Sequence, residues 1–221
     1  VKIEITPTGK DAGRPRILVS STEFGQGTNT ILCQVCAQTL RIPYEEVLIA
    51  QPDTHLVPNS GPTVASRTAM IVGKLIERAS QSLCATLVSA GLLVEEYTPL
   101  EFKYAALAYL REHDELIAQA RYELPPGSAI YWDDDLYKGD AYPTYAWAVY
   151  VAEVTVDTLT YSAEVKEFHA LQEVGKVIHP ILAQGQVEGG IAQGIGYALY
   201  EKCVYQDGLM RTTQMTNYIL P

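Results

Sequence analysis

The apolar positions change period several times along the chain, and each change marks an element. Residues 1–6 and 17–21 alternate apolar and polar side chains as half-buried strands do, and the turn-rich Pro7-Thr8-Gly9-Lys10-Asp11-Ala12-Gly13 between them predicts a hairpin-like opening. From Thr28 the period becomes helical. Ile31, Leu32, Val35, Cys36 and Leu40 share one stripe, and Pro43 ends the run before a short strand at 47–51. Pro52, Pro58, Gly61 and Pro62 make 52–65 a loop, after which 66–90 reads as a long helix closed by Gly91, with a second helical stretch at 102–120.

Prolines, glycines and the acidic run Asp133-Asp134-Asp135 set 125–143 apart as a surface excursion. Two strand-like stretches, 144–156 and 161–172, follow it, separated by Asp157-Thr158-Leu159-Thr160. The last helix is expected over 184–202, with Val187, Ile191, Ile195, Ala198 and Leu199 at helical spacing. Gly189, Gly190, Gly194 and Gly196 on its other face each cost about 1 kcal/mol relative to Ala in a helix interior. Another backbone or a ligand is therefore expected to lie close to that face. There is no internal repeat and no low-complexity tract.

Of the 221 residues 48% are apolar, enough for a substantial core. The formal net charge of -10 and a pI near 4.8 point away from a phosphate-backbone partner, so no nucleic acid is expected. The start carries no signal-like pattern, and polar residues break the most apolar stretches well before the length that crosses a bilayer; no membrane and a cytoplasmic location are expected. Four cysteines, Cys33, Cys36, Cys84 and Cys203, are too few for a disulfide scaffold and fit a reducing compartment. A chain that opens inside an apparent strand and stops at Ile219-Leu220-Pro221 reads as a fragment or subunit of something larger.

Three junctions carry candidate chemistry. Gly25-Gln26-Gly27-Thr28 lies where a strand meets a helix, so free amides and a positive dipole end favour an anion, while Gln26 can both donate and accept. No third glycine completes a dinucleotide fingerprint there, and the only local acid for a phosphate-binding alternative is Glu23. The second junction, Asp53 to Thr68, is a polar loop entering a helix, with hydroxyls at its mouth that suit a phosphate or a heterocycle edge and would serve equally as an ordinary N-cap. The third, Gly185-Gln186-Val187-Glu188-Gly189-Gly190, again places Gln in a glycine-rich helix start, where close helix packing is the plainer explanation. Together they are consistent with one polar, uncharged ligand approached by several helix ends.

Other groups read as structural. Cys33-Gln34-Val35-Cys36 sits inside a helix without a second pair to complete a zinc site, and the three aspartates lack the alternating oxygen ligands of a calcium loop. His55, His113, His169 and His179 are scattered, so no direct metal ligand and no nucleophile is expected.

In order and spacing, Glu23-Phe24-Gly25-Gln26-Gly27-Thr28, then Asp53-Thr54 with Val57-Pro58-Asn59-Ser60-Gly61-Pro62-Thr63-Val64-Ala65-Ser66, then Gly185-Gln186-Val187-Glu188-Gly189-Gly190-Ile191-Ala192-Gln193-Gly194-Ile195-Gly196 resemble the large subunit of the molybdenum hydroxylases, the xanthine dehydrogenase and aldehyde oxidase family. The resemblance implies an α+β fold of mixed sheets and packed helices in two interleaved lobes of a molybdopterin-binding region, 1–124 and 144–221, with 125–143 between them. It implies a molybdopterin with Mo, possible in the cytosine dinucleotide form, held by Gly25, Gln26, Gly27, Thr63, Ser66, Thr68 and Gln186, with Ala65 near the substrate pocket. The cofactor carries the difficult chemistry in such enzymes, so the lack of an acid or base here is no contradiction.

The family's catalytic glutamate belongs to a motif downstream of the segment resembling Tyr218-Ile219-Leu220-Pro221, so the second lobe reads as truncated before it and the chain alone as inactive. Implied partners are the remaining lobe of the molybdenum subunit, an iron–sulfur subunit and a subunit that can carry FAD. A nitrogen heterocycle hydroxylated with water-derived oxygen is the favoured substrate; an aldehyde oxidase, a carbon monoxide dehydrogenase relative and a non-catalytic assembly module are the alternatives. The chain departs from the family pattern at Phe24, at Glu173-Val174-Gly175 and at His179-Pro180.

Overall fold

The opening alternation becomes β1 (Lys2–Ile5), which buries Ile3 and Ile5 and leaves Lys2 and Glu4 half-buried. It pairs antiparallel with β2 (Pro15–Leu18), setting Ile3 opposite Ile17, and both side chains are fully buried. α1 (Thr28–Leu40) buries Leu32, Cys33, Cys36, Ala37 and Leu40, and stops where Arg41 turns left-handed at φ 52°. β3 (Leu48–Ile49) then runs parallel to β2. These elements are observed in the computed structural model, which describes residues 1–64, 66–123, 130–133, 135–140 and 145–221.

The helix expected over 66–90 begins instead with a π-helical turn at Thr68–Val72, in which Gly73 N–H reaches back to Thr68 O. α2 (Gly73–Ser89) continues it and buries Leu75, Ile76, Ala79, Leu83 and Leu87 in the core shared with α1. Gly91 follows with φ 71°, as a C-terminal glycine does. The next helix, expected over 102–120, runs as α3 (Pro99–Glu112). Its start is a capping box. Thr98 Oγ1 accepts the Glu101 N–H at 3.3 Å, and the Glu101 carboxylate accepts the Thr98 N–H at 2.7 Å. Its end is early because Ile117–Gln119 pairs with the free edge of β1 as β4, burying Ala118 between neighbours that a helix would not have supplied. The resulting sheet has the order β3-β2-β1-β4, with Phe102 and Leu116 also buried in its core.

Those elements make up the first of two compact units, Val1–Pro126 and Gly127–Pro221. Within the expected excursion lies a short ladder of β5 (Trp132–Asp133) and β6 (Lys138–Gly139); 124–129, 134 and 141–144 lie outside the described residues, Asp134 of the aspartate run among them. The two expected strand-like stretches are β7 (Ala148–Val156) and β8 (Ala163–Gln172), which pair antiparallel with a register shift between Glu153 and Val154, and every β7 residue is exposed. α4 (Pro180–Leu199) begins four residues before the expected start. A final hairpin, β9 (Tyr205–Gln206) and β10 (Leu209–Met210), turns through Asp207 and Gly208 at φ 51° and 77°, the two positive values of a type I′ turn. Among the described residues, no helix is long and apolar enough to cross a membrane.

Candidate functional site

The first two junctions meet within the first unit. Beyond β2 the chain continues through Ser20, Ser21 and Thr22, and the second loop is fastened to it by hydroxyls in place of a strand ladder. Ser20 N–H donates to Ser60 Oγ at 3.0 Å, Ser60 N–H donates to Ser20 Oγ at 2.8 Å, and the two hydroxyls are 2.9 Å apart. Ser21 Oγ lies 3.2 Å from Ser60 Oγ, with both residues buried, and Thr22 N–H donates to Thr63 Oγ1 at 2.9 Å. Serine and threonine suit this task because each side chain can close a bond to a neighbouring backbone without adding a charge.

The second loop is also braced from within. Arg67 Nη1 donates to the carbonyls of Ser60 and Pro62, both at 3.0 Å, and Asn59 Oδ1 accepts the Gly61 N–H at 2.8 Å. Gly61, at φ 79°, lies beneath the guanidinium, and a Cβ there would stand 2.8 Å from Arg67 Nη1. Ser66 is exposed in the left-handed region at φ 53°, and Thr68 opens the π-helical turn, a local geometry that recurs at functional sites. Ala65 lies outside the described residues.

The Gly-Gln loop corrects one expectation. The first amides of α1 are not free for an external anion, because the Glu23 carboxylate has taken them. Its Oε1 accepts from Gly25 N–H at 2.8 Å and Gly27 N–H at 3.0 Å, and its Oε2 from Asn29 N–H at 2.9 Å. Partial burial opposes the charge, but the amide bonds from Asn29, Gly27, Gly25 and Thr28 outweigh it and hold the carboxyl below the usual glutamate range. An acid placed just before a glycine-rich helix start was the available signal. Glu23 thereby also disfavours the phosphate-binding alternative.

Gln26 is turned into its own loop. Its Oε1 accepts the Phe24 N–H at 2.8 Å, while Nε2 donates to Thr22 O at 2.7 Å and to Thr28 Oγ1 at 2.8 Å. Gly25 and Gly27 have φ of 112° and 88°, values that side-chain-bearing residues rarely adopt. Both hydrogens of the Gln26 amide are thus used, and what the side chain has left for a further partner is one lone pair on Oε1. Gly25, Gln26, Gly27, Thr63, Ser66 and Thr68 therefore belong to one pair of joined loops.

Gln186 belongs to the second unit. The Gly185-to-Gly190 motif lies inside α4 and not at its start, a second correction, because Pro180 takes the first helical position and His179 Nδ1 accepts the Leu182 N–H at 3.3 Å. Gln186 is exposed on the second turn. Of the glycines expected to meet a close neighbour, only Gly196 does so: a Cβ there would lie 2.8 Å from the Pro221 ring, whereas at Gly189, Gly190 and Gly194 it would meet nothing within 4 Å.

Cys33 and Cys36 pack in the core, where burial pushes their thiols up to about 11 and about 12, away from the thiolate form.

The model of the molybdopterin cofactor-binding domain family matches residues 1–221. Xanthine dehydrogenase of Dictyostelium discoideum is 29% identical over 201 residues, covering 90% of this chain and 15% of the relative. The nicotine 6-hydroxylase large subunit of Paenarthrobacter nicotinovorans is 31% identical over 216 residues, covering 89% of this chain and 26% of the relative. The crystal structure of the aldehyde oxidoreductase from Desulfovibrio desulfuricans superposes with a TM-score of 0.79 at 24% identity, over 100% of this chain and 22% of that one, a likeness of fold. The chain thus spans less than a third of each of these proteins.

Proposed function

The chain belongs to the molybdopterin cofactor-binding domain family, and from that premise we propose that it forms one wall of the cofactor site in the large subunit of a xanthine dehydrogenase-like molybdenum hydroxylase. The observation that carries this reading is the joining of the two loops through Ser20, Ser60, Thr22 and Thr63, with Thr22 bonded to both Thr63 Oγ1 and Gln26 Nε2. The donor set fits a polar heterocyclic ligand: a Gln26 lone pair that can accept an N–H, hydroxyls at Thr63, Ser66 and Thr68 that can donate or accept, and the Arg67 guanidinium beside them.

In this reading Gly25 and Gly27 let backbone come close to the cofactor, Gln26 accepts from it, and Thr63, Ser66 and Thr68 lie along its pterin or phosphate portion. Gln186 contributes from α4, and Ala65 borders the substrate. When bound, the molybdenum cofactor supplies the oxidation itself, hydroxylating a carbon with oxygen from water. The chain's residues bind and orient. Glu23, the acid of the first loop, is held by three amides and is not placed as a base; in this reading the proton acceptor comes from another part of the large subunit, and the chain alone has no turnover.

A nitrogen heterocycle is the substrate class; a relative at 31% identity bears the name nicotine 6-hydroxylase, and nicotine is such a compound. The cytosine dinucleotide form of the cofactor, iron–sulfur and flavin subunits that carry the electrons away, and a cytoplasmic location complete the proposal. Elemental analysis of the intact complex purified from its source tests it. Molybdenum near one atom per copy is expected, with a reduced content in Gln26→Ala and Gln186→Ala; none in a preparation of normal iron–sulfur content, or unchanged content in both variants, overturns the assignment.

A further inference from the structure

The Gly-Gln loop holds an acid that binds nothing but its own backbone. Glu23 spans three amides with two oxygens, and two of those amides belong to Gly25 and Gly27, the residues whose left-handed backbone creates the loop. Its carboxylate also meets the positive end of α1, where a negative charge is most favourable. Gln26 lies between the two glycines, so the path of its backbone is set on both sides by the same carboxylate.

We propose that Glu23 is a positioning residue: by clamping the amides of Gly25, Gly27 and Asn29 it fixes Gln26 in the orientation that commits its amide hydrogens to the loop and leaves one Oε1 lone pair unused, and it closes the start of α1 to phosphate. With both Nε2 hydrogens committed to Thr22 O and Thr28 Oγ1, Gln26 can only accept. The ligand edge at this loop is therefore a neutral N–H donor, such as the amino-pyrimidine side of a pterin, and any phosphate lies elsewhere. Phosphate brought to Gly25 and Gly27 would find their amides taken and a carboxylate in its place. The inference rests on Gln26 touching the cofactor.

The test compares Glu23→Gln, Glu23→Ala, Gln26→Ala and Glu101→Ala in the intact protein that carries this chain, measuring molybdenum and pterin content together with amide hydrogen exchange over 22–30 and 97–102. Glu101 closes the capping box of α3 and serves as the control for losing a helix cap alone. Exchange at Gly25, Gly27 and Asn29 is expected to speed up about tenfold in Glu23→Ala, as for a lost cap. Cofactor content should fall in the order wild type, Glu23→Gln, Glu23→Ala, the last matching Gln26→Ala, while Glu101→Ala speeds exchange only near Thr98 and keeps its cofactor. Unchanged exchange over 22–30 in Glu23→Ala overturns the clamp. Full cofactor in Glu23→Ala alongside loss in Gln26→Ala overturns the positioning role while leaving the cofactor site standing. Full cofactor in both, with faster exchange, overturns the cofactor contact itself.

Discussion

Replacing Ser60 with Ala removes a single oxygen with three partners: the Ser20 N–H at 3.0 Å, the Ser20 hydroxyl at 2.9 Å and the Ser21 hydroxyl at 3.2 Å. The hydroxyls of Ser20 and Ser21 can rotate toward other acceptors, so each lost bond contributes the net value of about 0.5–1.5 kcal/mol or less. The Ser20 amide cannot rotate. A partly buried donor without an acceptor costs about 1–3 kcal/mol, so the local cost is about 2–3 kcal/mol in total, or about 30- to 150-fold in the opening equilibrium. The Ser60 N–H keeps its acceptor, Ser20 Oγ, in this variant.

That asymmetry makes amide hydrogen exchange the appropriate assay. In Ser60→Ala the Ser20 amide should exchange about 30- to 150-fold faster while the Ser60 amide changes much less; in Ser20→Ala the two amides exchange roles. The double variant tests whether the pair acts as one unit. Because each hydroxyl accepts from the other's backbone and the hydroxyls also touch, a coupling of about 1 kcal/mol is expected. Additive effects, or less than a threefold change at the Ser20 amide, would refute the argument that this pair fastens the two loops.

Four further outcomes follow from the same geometry. In the 221-residue chain, Gly189→Ala, Gly190→Ala and Gly194→Ala should each stabilise α4 by about 0.8–1 kcal/mol, because an added Cβ meets nothing within 4 Å, whereas Gly196→Ala should gain less or destabilise as its Cβ meets the Pro221 ring at 2.8 Å; circular dichroism melts that put Gly196→Ala highest would contradict this. His179→Ala should cost α4 about 0.5–2 kcal/mol and His179→Asn should not, read as exchange at the Leu182 amide whose acceptor is His179 Nδ1. Glu23 has a folded pKa below its ordinary value of 4.5, so its stabilisation is fully present above pH 4.5 and is lost as pH falls through the lower folded value; NMR shifts of the Gly25, Gly27 and Asn29 amides should titrate together below pH 4.5, and a shared midpoint at or above it would contradict the clamp. Alkylation at neutral pH should label exposed Cys203 and spare Cys33 and Cys36 until unfolding, checked by mass mapping.

Where a pattern is carried by its own residues, it was legible. The β1–β2 hairpin, α1, and the β7–β8 pair follow from alternation, a helical stripe and turn residues, each of which depends on near neighbours in the chain. The end of α3 is decided by distant residues. Ile117-Ala118-Gln119 continues a helical stripe in sequence but becomes β4, because β1, more than a hundred residues earlier, has an open edge to offer. Two other misses were local and avoidable: Thr98-Pro99-Leu100-Glu101 spells a capping box, and Asp207-Gly208 spells a type I′ turn.

The site divides along the same line. Glycines at a strand-to-helix junction correctly mark the loop, and they say equally that amides will be left over at the start of α1. What fills them is a different question. An acid four residues before the last glycine can point to solvent or curl back onto those amides, and the outcome depends on φ at Gly25 and Gly27, 112° and 88°, which bends the chain until Gly25, Gly27 and Asn29 face one carboxylate. Once the charge at the helix start is supplied from within, the loop has no reason to attract a second anion, and the side chain of Gln26 keeps one unused lone pair on Oε1. A motif that reads as a phosphate cradle becomes an acceptor for a neutral edge through the placement of one side chain.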